Sequence, residues 1–389
     1  MKKSLVALAV LAATGAFAQS SVTLYGRMDL GLASGTTETT LANGTSTSVR
    51  NSELAGAQNN WTGSRLGVRG SEDLGGGLKA NFVYEFRLHP DNTTAGSTNF
   101  GATRTALLQV AGGFGTVTIG TYLNPFDDIR LSAGIYGGAG TGNIPGAWTL
   151  DKVNSGFLNA RSVNSIAYRS PVFAGGFTAS IGTTMQDSGS TNSKSTGYIA
   201  SVGYANGPIN ALVAYGEGKQ KTSTPGVGAV IVTPNIGGFA TPIVITPATV
   251  GSIGENRIRD FGLRASYNFG VAVPYISYET LNVNATNLIS GFGAGGAKSR
   301  GYEIGSTFPM GAFTPFILFA NQKTSLRSPA ITTSNATTSA FQLGTKYDLS
   351  KRTFVYGGYG RSNVKNDNNI NKISDVRSTG YGLGLVHNF

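Results

Sequence analysis

The sequence contains no cysteine and only two histidines in 389 residues. Disulfide cross-links and cysteine-type zinc sites are therefore excluded, and His89 and His387 alone cannot form a metal cluster. After the first twenty residues, no stretch approaches the roughly eighteen uncharged apolar residues that a transmembrane helix needs. Acidic residues are also scarce, with 19 Asp and Glu against 30 Lys and Arg. Without disulfide cross-links, the stability of the fold must come from packing or from closure of the sheet.

The first twenty residues, MKKSLVALAVLAATGAFAQS, have the pattern of a secretory signal. Two lysines precede an apolar run from Leu5 to Ala13 and a small-x-small site that ends at Ala18. The run is too short to span a membrane, so we expect cleavage before Gln19 and export of residues 19–389 as one domain. Export argues against nucleic acid as the partner of this basic chain, and leaves anionic lipid headgroups or small anions.

Polar and apolar residues alternate along most of the remaining chain. In SVTLYGRMDLGL, Leu24 and Leu30 fall on one face, and Tyr25, Arg27 and Asp29 on the other. A period of two is typical of a β-strand with one apolar and one polar face. The same pattern predicts sixteen strands, near residues 21–32, 61–71, 76–88, 103–112, 115–122, 162–170, 175–184, 196–205, 208–217, 256–268, 271–280, 299–309, 311–322, 337–348, 351–361 and 376–389.

Short and long connections alternate between these predicted strands. Seven are tight turns, such as NGP at Asn206 and DLSK at Asp348. The long ones cover roughly 33–60, 89–102, 123–161, 185–195, 218–255, 281–298, 323–336 and 362–375. This regularity favours an up-and-down transmembrane β-barrel with periplasmic turns and external loops over a Greek-key sandwich. Outward aromatic residues near the short turns, including Tyr204, Tyr267 and Phe269, indicate one membrane interface.

Charged residues of the predicted strands fall on the polar side of the alternation: Arg27, Arg65, Arg69, Arg87, Arg264 and Glu85. One arginine turned toward lipid near the midplane costs about 2–4 kcal/mol, so we expect these side chains inside. A barrel of sixteen strands encloses an aqueous channel. There the arginines either pair with Glu85 and Asp29 or meet a passing anion, and both can hold at once.

The third long connection is rich in glycine and contains DDIR, with Asp127 and Asp128. Folded inward, these aspartates oppose the wall arginines; folded outward, they are ordinary loop charges. The two carboxylates would point to opposite faces of a strand, which argues against a catalytic dyad, and no serine has a suitable histidine beside it. We therefore predict no enzyme, no cofactor and no metal site.

The sequence resembles the Gram-negative general porins, specifically the trimeric sixteen-stranded type of beta-proteobacteria. The matching stretches are SSVTLYGRMDLGL, SRLGVRGSEDLGGGLKANFVYEF at Ser64, GGFGTVTIG at Gly112, AYRSPVFAGGF at Ala167, YDLSKRTFVYGGYG at Tyr347 and the final GLGLVHNF. The resemblance implies an all-β, sixteen-stranded antiparallel barrel that crosses the cell outer membrane many times. It also implies a homotrimer and passive diffusion of small hydrophilic solutes and inorganic ions.

The resemblance extends to individual positions. Arg27, Arg65, Arg69 and Arg87 match positions where such porins place charges in the lumen. Asp127, Asp128 and Arg130 lie in the segment that corresponds to the inward-folded constriction loop, about 123–161. After TVTIG the family usually has Arg-Gln, whereas this chain has Thr121 and Tyr122, so one wall charge of the family is absent.

The closing segment GYGLGLVHNF places Tyr381, Leu383, Leu385, His387 and Phe389 on the lipid side. We expect this last strand to pair with the first at Ser21 and so remove the edges of the sheet. The resemblance implies that Phe389 and Tyr381 belong to a signal read by the outer-membrane assembly machinery.

The sequence thus predicts a weakly anion-preferring porin in contact with outer-membrane lipid and lipopolysaccharide. Two alternatives stay open: a substrate-specific channel for organic acids or phosphate, and an adhesin-like barrel whose loops carry the function.

Overall fold

The computed structural model describes residues 21–55, 63–90, 100–130, 161–188, 193–224, 230–232, 235–236, 239–240, 243–246, 252–285, 296–326, 334–368 and 371–389. The predicted signal peptide, residues 1–18, and most of the predicted constriction loop lie outside these ranges. The strands are β1 Ser21–Leu41, β2 Ser46–Ala55, β3 Arg65–Gly75, β4 Leu78–Leu88, β5 Phe100–Gly112, β6 Gly115–Leu123, β7 Arg161–Arg169, β8 Phe177–Ser188, β9 Ser193–Asn206, β10 Ile209–Thr224, β11 Val230–Val232, β12 Asn235–Ile236, β13 Phe239–Ala240, β14 Ile243–Thr246, β15 Ser252–Tyr267, β16 Val273–Ala285, β17 Ala297–Thr307, β18 Phe313–Leu326, β19 Ser334–Asp348, β20 Thr353–Asp367 and β21 Lys372–Asn388. A short helix, α1 Pro125–Arg130, follows β6.

Seventeen strands form one antiparallel sheet that closes on itself. The last strand, β21, pairs with β1 from Arg27 opposite Asn388 to Leu41 opposite Ser374. On its other edge, β1 pairs first with β3 and then, toward its carboxyl end, with β2. Because β2 and β3 occupy one position in the circle, the barrel has the sixteen strand positions that the alternation predicts. The expected pairing of the last strand with the first is also confirmed.

The alternation of side chains matches the predicted faces. In β1, Leu24 is 62% exposed whereas Asp29 is fully buried, and in β21, Leu383 is 58% exposed whereas Val386 is fully buried. The exposed outer face is therefore largely apolar, whereas the inner face carries buried polar side chains together with some apolar ones, such as Val386 and Leu281. A sheet with this reversed arrangement is stable only with lipid around it.

The strands extend farther at the external end than the alternation predicts. The predicted loop 33–60 instead contains the end of β1, a turn at residues 42–45 and β2. The predicted loop 362–375 is reduced to residues 368–371 between β20 and β21, and the predicted loop 185–195 to residues 189–192 between β8 and β9. Beyond the membrane both faces of a strand meet water, so the apolar alternation stops while the backbone pairing continues.

The helix α1 begins two residues after β6 and packs across the interior against β10, β15 and β16. The described start of the third long loop therefore lies inside the barrel, as predicted. No helix in the described ranges is long and apolar enough to cross a membrane. The interior thus contains two facing surfaces, α1 with the wall behind it and the opposite wall of β1, β3, β4 and β5.

Candidate functional site

The helix α1 starts with a well-formed amino-terminal cap. The Phe126 amide donates to Asn124 Oδ1 at 3.0 Å, and Asn124 Nδ2 donates to Ser162 Oγ on β7 at 3.2 Å. Pro125 occupies the first helical position, where an N–H would have no acceptor within the helix and where the fixed φ of proline is already helical. Asp127 lies in the first turn, where a negative charge is favourable. The sequence NPFDD thus encodes a helix start and fixes where it leaves the wall.

Two apolar side chains anchor α1 to the far wall. Phe126 and Ile129 are fully buried and belong to the same apolar cluster as Ala214, Ile258 and Leu281 of β10, β15 and β16. Beneath them lies Gly262, where an added Cβ would meet Ile129 Cδ1 at 2.9 Å. Glycine at this position therefore permits the close approach of helix and strand.

Arg130 completes the attachment through a buried ion-pair network. Its Nη2 lies 2.9 Å from Asp260 Oδ2 on β15, and its Nε lies 3.0 Å from Glu279 Oε1 on β16. Arg130 is 4% exposed and both acids are fully buried or nearly so. The predicted pore-lining Arg130 therefore lies in the contact between helix and wall, rather than on a water-facing surface. We call Arg130, Asp260 and Glu279 the latch.

Predicted pore-lining Arg264 also contacts the helix. Its Nη1 donates to the backbone carbonyl of Asp128 at 2.8 Å, and its guanidinium lies 5.2 Å from the centre of the Tyr275 ring. Arg264 and Arg169 both interact electrostatically with the Asp128 carboxylate. Desolvation by the surrounding protein raises the pKa of Asp128, and these two guanidinium groups oppose that shift.

A cluster of arginines covers the opposite wall around Glu85. The Glu85 carboxylate lies 2.7 Å from Arg104 Nε and 3.9 Å from Arg65 Nη1, and it accepts a hydrogen bond from Tyr25 Oη at 3.1 Å. We call the arginine cluster the five residues Arg27, Arg65, Arg87 and Arg104 of this wall and Arg161 at the start of β7, which interact electrostatically with one another. Five guanidinium groups around the carboxylate of Glu85 leave this wall with an excess of positive charge.

Three further sets of interactions border the cluster. Arg27 Nε donates to Asn388 Oδ1 at 2.6 Å, which ties the cluster to the seam between β1 and β21. Asp29, the other predicted counter-charge, accepts hydrogen bonds from Tyr356 Oη at 2.9 Å and from the amide of Gly63. Asp127 on α1 interacts electrostatically with Arg161, so a helix carboxylate faces the arginine cluster.

Arg104 enters the cluster because of a β-bulge. By strict alternation it shares the outward side with Leu108, which is 66% exposed. The register between β4 and β5 passes from Glu85 opposite Thr105 to Phe86 opposite Thr103, so Arg104 is an extra residue. The bulge turns its side chain inward toward Glu85. Sequence reasoning missed Arg104 for this reason, and missed Arg161 because it begins β7, one residue before the predicted strand.

The remaining predicted residues lie outside the arginine cluster. Arg69 is exposed and its guanidinium lies 5.1 Å from the centre of the Tyr25 ring, toward the short-turn end of the barrel. Phe389 exchanges backbone hydrogen bonds with Gly26 at 3.0 and 3.1 Å, and Tyr381 is 55% exposed on the outer face. Among the described residues, no three His, Cys, Asp or Glu side chains are grouped closely enough to hold a metal ion.

Comparison with known proteins assigns a family. A family model described as Gram-negative porin matches residues 4–369. The chain is 32% identical over 377 residues to outer membrane porin protein 32 of Delftia acidovorans, covering 92% of this chain and 88% of that one. It is 28% identical over 435 residues to an outer membrane porin protein of Bordetella pertussis, covering both chains fully. A solved anion-selective porin from Comamonas acidovorans has a TM-score of 0.63 at 26% identity, covering 95% of this chain and 100% of that one.

Proposed function

Because this chain belongs to the Gram-negative porin family and forms a multi-pass channel in the outer membrane, we propose that the arginine cluster and α1 form its constriction. Hydrated solutes would pass between the guanidinium groups of one wall and the carboxylates of Asp127 and Asp128 on the helix. The observation that carries the proposal is the facing arrangement of five arginines and a helix held inside the barrel. In such an arrangement the helix limits the size of the solutes that pass. The electric field between the arginines and the helix carboxylates selects among solutes by charge.

The balance of charge favours a weak preference for anions. The five arginines outnumber Glu85, Asp127 and Asp128, and the low-dielectric walls strengthen their field in the lumen. Arg104 and Arg161 supply positive charge on a wall that lacks the family's arginine at Thr121. The solved relative from Comamonas acidovorans is described as anion-selective, and the same property in this chain fits its arginine cluster.

Planar-bilayer recording of the purified full-length protein tests this proposal. Under a potassium chloride gradient, we expect a reversal potential that favours chloride over potassium. Replacing Arg65 and Arg104 with glutamine should move it toward potassium. The matched control removes two guanidinium groups from the outer face of the barrel, at Arg257 and Arg259, and should leave the reversal potential unchanged. Equal shifts in both variants, or potassium preference in the unmodified channel, would refute the charge assignment.

Assembly properties complete the proposal. Residues 1–18 would be removed on export, which amino-terminal sequencing of the mature protein tests. The porin would form the homotrimer of the family it resembles, which chemical cross-linking in the membrane tests. Phe389 and Tyr381 would contribute to recognition by the assembly machinery, so Phe389→Ala and Tyr381→Ala should each lower the yield of folded barrel in the outer membrane.

A further inference from the structure

A cavity lies between α1 and the inner face of the neighbouring wall. Its volume is about 360 Å³; strands β5 to β10 form the wall side, and Asn124, Pro125 and Asp128 form the helix side. Arg169 and Thr178, which also line it, lie at either end of the short turn between β7 and β8. The cavity therefore lies on the short-turn side of the helix, and we call it the side cavity. Its volume is within the range of roughly 300–1,000 Å³ that is typical of small-molecule sites.

Two opposite charges face the side cavity from different elements. Asp128 lines it from the helix and Arg169 from β7, and both side chains are exposed. The two groups interact electrostatically. Within the described ranges, however, neither the Asp128 carboxylate nor the Arg169 guanidinium makes a hydrogen bond or a direct ion pair. Both charges are therefore available to a molecule placed between them.

Fixed hydroxyl and amide groups cover the wall of the side cavity. Gln109 Nε2 donates to Thr118 Oγ1 at 3.0 Å, and the hydroxyl groups of Ser180 and Ser201 form a hydrogen bond of 2.7 Å. These cross-strand pairs hold the four side chains in place. Their oxygens keep lone pairs that can accept a further hydrogen bond from a bound N–H group.

The rest of the lining is apolar. Leu107 of β5 and Leu212 of β10 face the same space, and Leu212 packs against the buried apolar cluster that holds α1. The side cavity thus combines a positive group, a negative group and an aliphatic surface. A simple anion would be repelled by Asp128, and an uncharged sugar would leave both charges without a partner of opposite sign. A small molecule with one ammonium and one carboxylate group complements both charges.

We propose that the side cavity binds small zwitterionic solutes of the amino-acid class. The carboxylate of the solute would contact Arg169, its ammonium group would contact Asp128, and an aliphatic side chain would lie against Leu107 and Leu212. This inference rests on the proposed passage of solutes beside α1. It adds a chemical class that the arginine cluster does not itself select, because a zwitterion carries no net charge.

Single-channel recording of the purified full-length protein tests the proposal. L-leucine is added in increasing concentration at constant voltage in potassium chloride, and the concentration of half-maximal block measures its affinity. We expect saturable block by L-leucine. Block should be weaker with N-acetyl-leucine, which lacks the ammonium charge, and with leucinamide, which lacks the carboxylate. This comparison uses the unmodified channel, so it does not depend on the assembly of any variant.

Two single variants assign the contacts. Arg169→Gln and Asp128→Asn should each raise the half-blocking concentration of L-leucine roughly tenfold, because each removes one charge-assisted hydrogen bond. Arg169→Gln should not weaken block by leucinamide, and Asp128→Asn should not weaken block by N-acetyl-leucine. The matched control, Asp73→Asn with Arg352→Gln, changes the same two types of side chain at exposed positions in other short turns, and should leave block by L-leucine unchanged.

Several results would overturn the proposal. These are equal half-blocking concentrations for L-leucine and its two analogues, block by D-glucose as effective as that by L-leucine, and equal block of the two variants and the control. The reversal potential separates this inference from the proposed function. Chloride preference without saturable block would overturn the side cavity alone. Potassium preference with saturable block would overturn the charge assignment of the arginine cluster and support the side cavity.

Discussion

Replacing Arg130 with methionine should release α1 from the barrel wall. Methionine keeps an unbranched apolar stem but leaves Asp260 and Glu279 buried without their shared guanidinium. Removing one partner of a buried ion pair typically costs about 3–5 kcal/mol. The loss falls on the contact between helix and wall, because both carboxylates belong to the wall and Arg130 to the helix.

The apolar contacts of α1 set the size of the effect. Phe126 and Ile129 are fully buried, and burying a side chain of this kind contributes about 1.5–3 kcal/mol each. Their combined contribution, about 3–6 kcal/mol, is close to the loss expected from the latch. Attached and detached positions of α1 should then differ little in free energy. The helix should spend a measurable fraction of its time away from the wall.

Single-channel recording at constant voltage detects such a change. The unmodified channel should show one steady open level, and Arg130→Met should add frequent excursions to a higher conductance. Arg130→Lys should give an intermediate result, because lysine keeps the charge but cannot contact both carboxylates with a planar fork. Thermal unfolding in detergent should occur at a lower temperature in Arg130→Met.

A triple variant separates the latch from a general packing defect. Arg130→Met with Asp260→Asn and Glu279→Gln removes the unpaired buried charges together with the arginine. Buried amides cost less free energy than buried unpaired carboxylates, so this variant should recover part of the lost stability. If the single and triple variants unfold at the same temperature, the charges do not hold the helix. Steady, unmodified conductance in Arg130→Met would also refute the latch.

Three further predictions follow from the same geometry. Glu85→Gln removes the carboxylate 2.7 Å from Arg104, so the reversal potential should move further toward chloride, and a shift toward potassium would contradict this assignment. The raised pKa of Asp128 means that its carboxylate gains a proton at a higher pH than an ordinary aspartate. Chloride preference should therefore rise as pH falls through that range, and a variant with Asp128→Asn that keeps the same pH dependence would assign the titration elsewhere. Gly26→Val should lower the yield of assembled barrel, because its side chain would collide with the Phe389 ring at the closing seam. The control is Gly113→Val, since a Cβ at Gly113 meets open space, and equal yields would argue against a steric cause.

The sequence predicted the barrel wall well because lipid imposes a strict rule on one face of each strand. In β21, exposed Leu383 and buried Val386 follow that rule, and the predicted strand differs from the observed one mainly at its outer end. There, Asp367 of β20 still pairs with Lys372 of β21, although polar residues occupy both faces. Water on both sides removes the pattern without removing the hydrogen bonds. Hydrophobic periodicity therefore measures the width of the membrane rather than the length of the strands.

The candidate site was less predictable from the sequence, because different arginines have different roles in the same barrel. Arg130 and Arg65 both belong to the predicted pore lining, yet Arg130 is 4% exposed in the latch and Arg65 is 22% exposed beside Glu85. The latch acids lie 130 and 149 residues beyond Arg130, so no local spacing links them. An arginine that faces water and has one carboxylate partner can still attract a passing anion. An arginine enclosed by two carboxylates is neutralised by them and instead attaches one part of the protein to another. The exposed fraction of an arginine side chain and its number of carboxylate partners therefore distinguish an arginine that can act in ion selectivity from one that attaches the helix to the wall. Both quantities are known only once the barrel has folded.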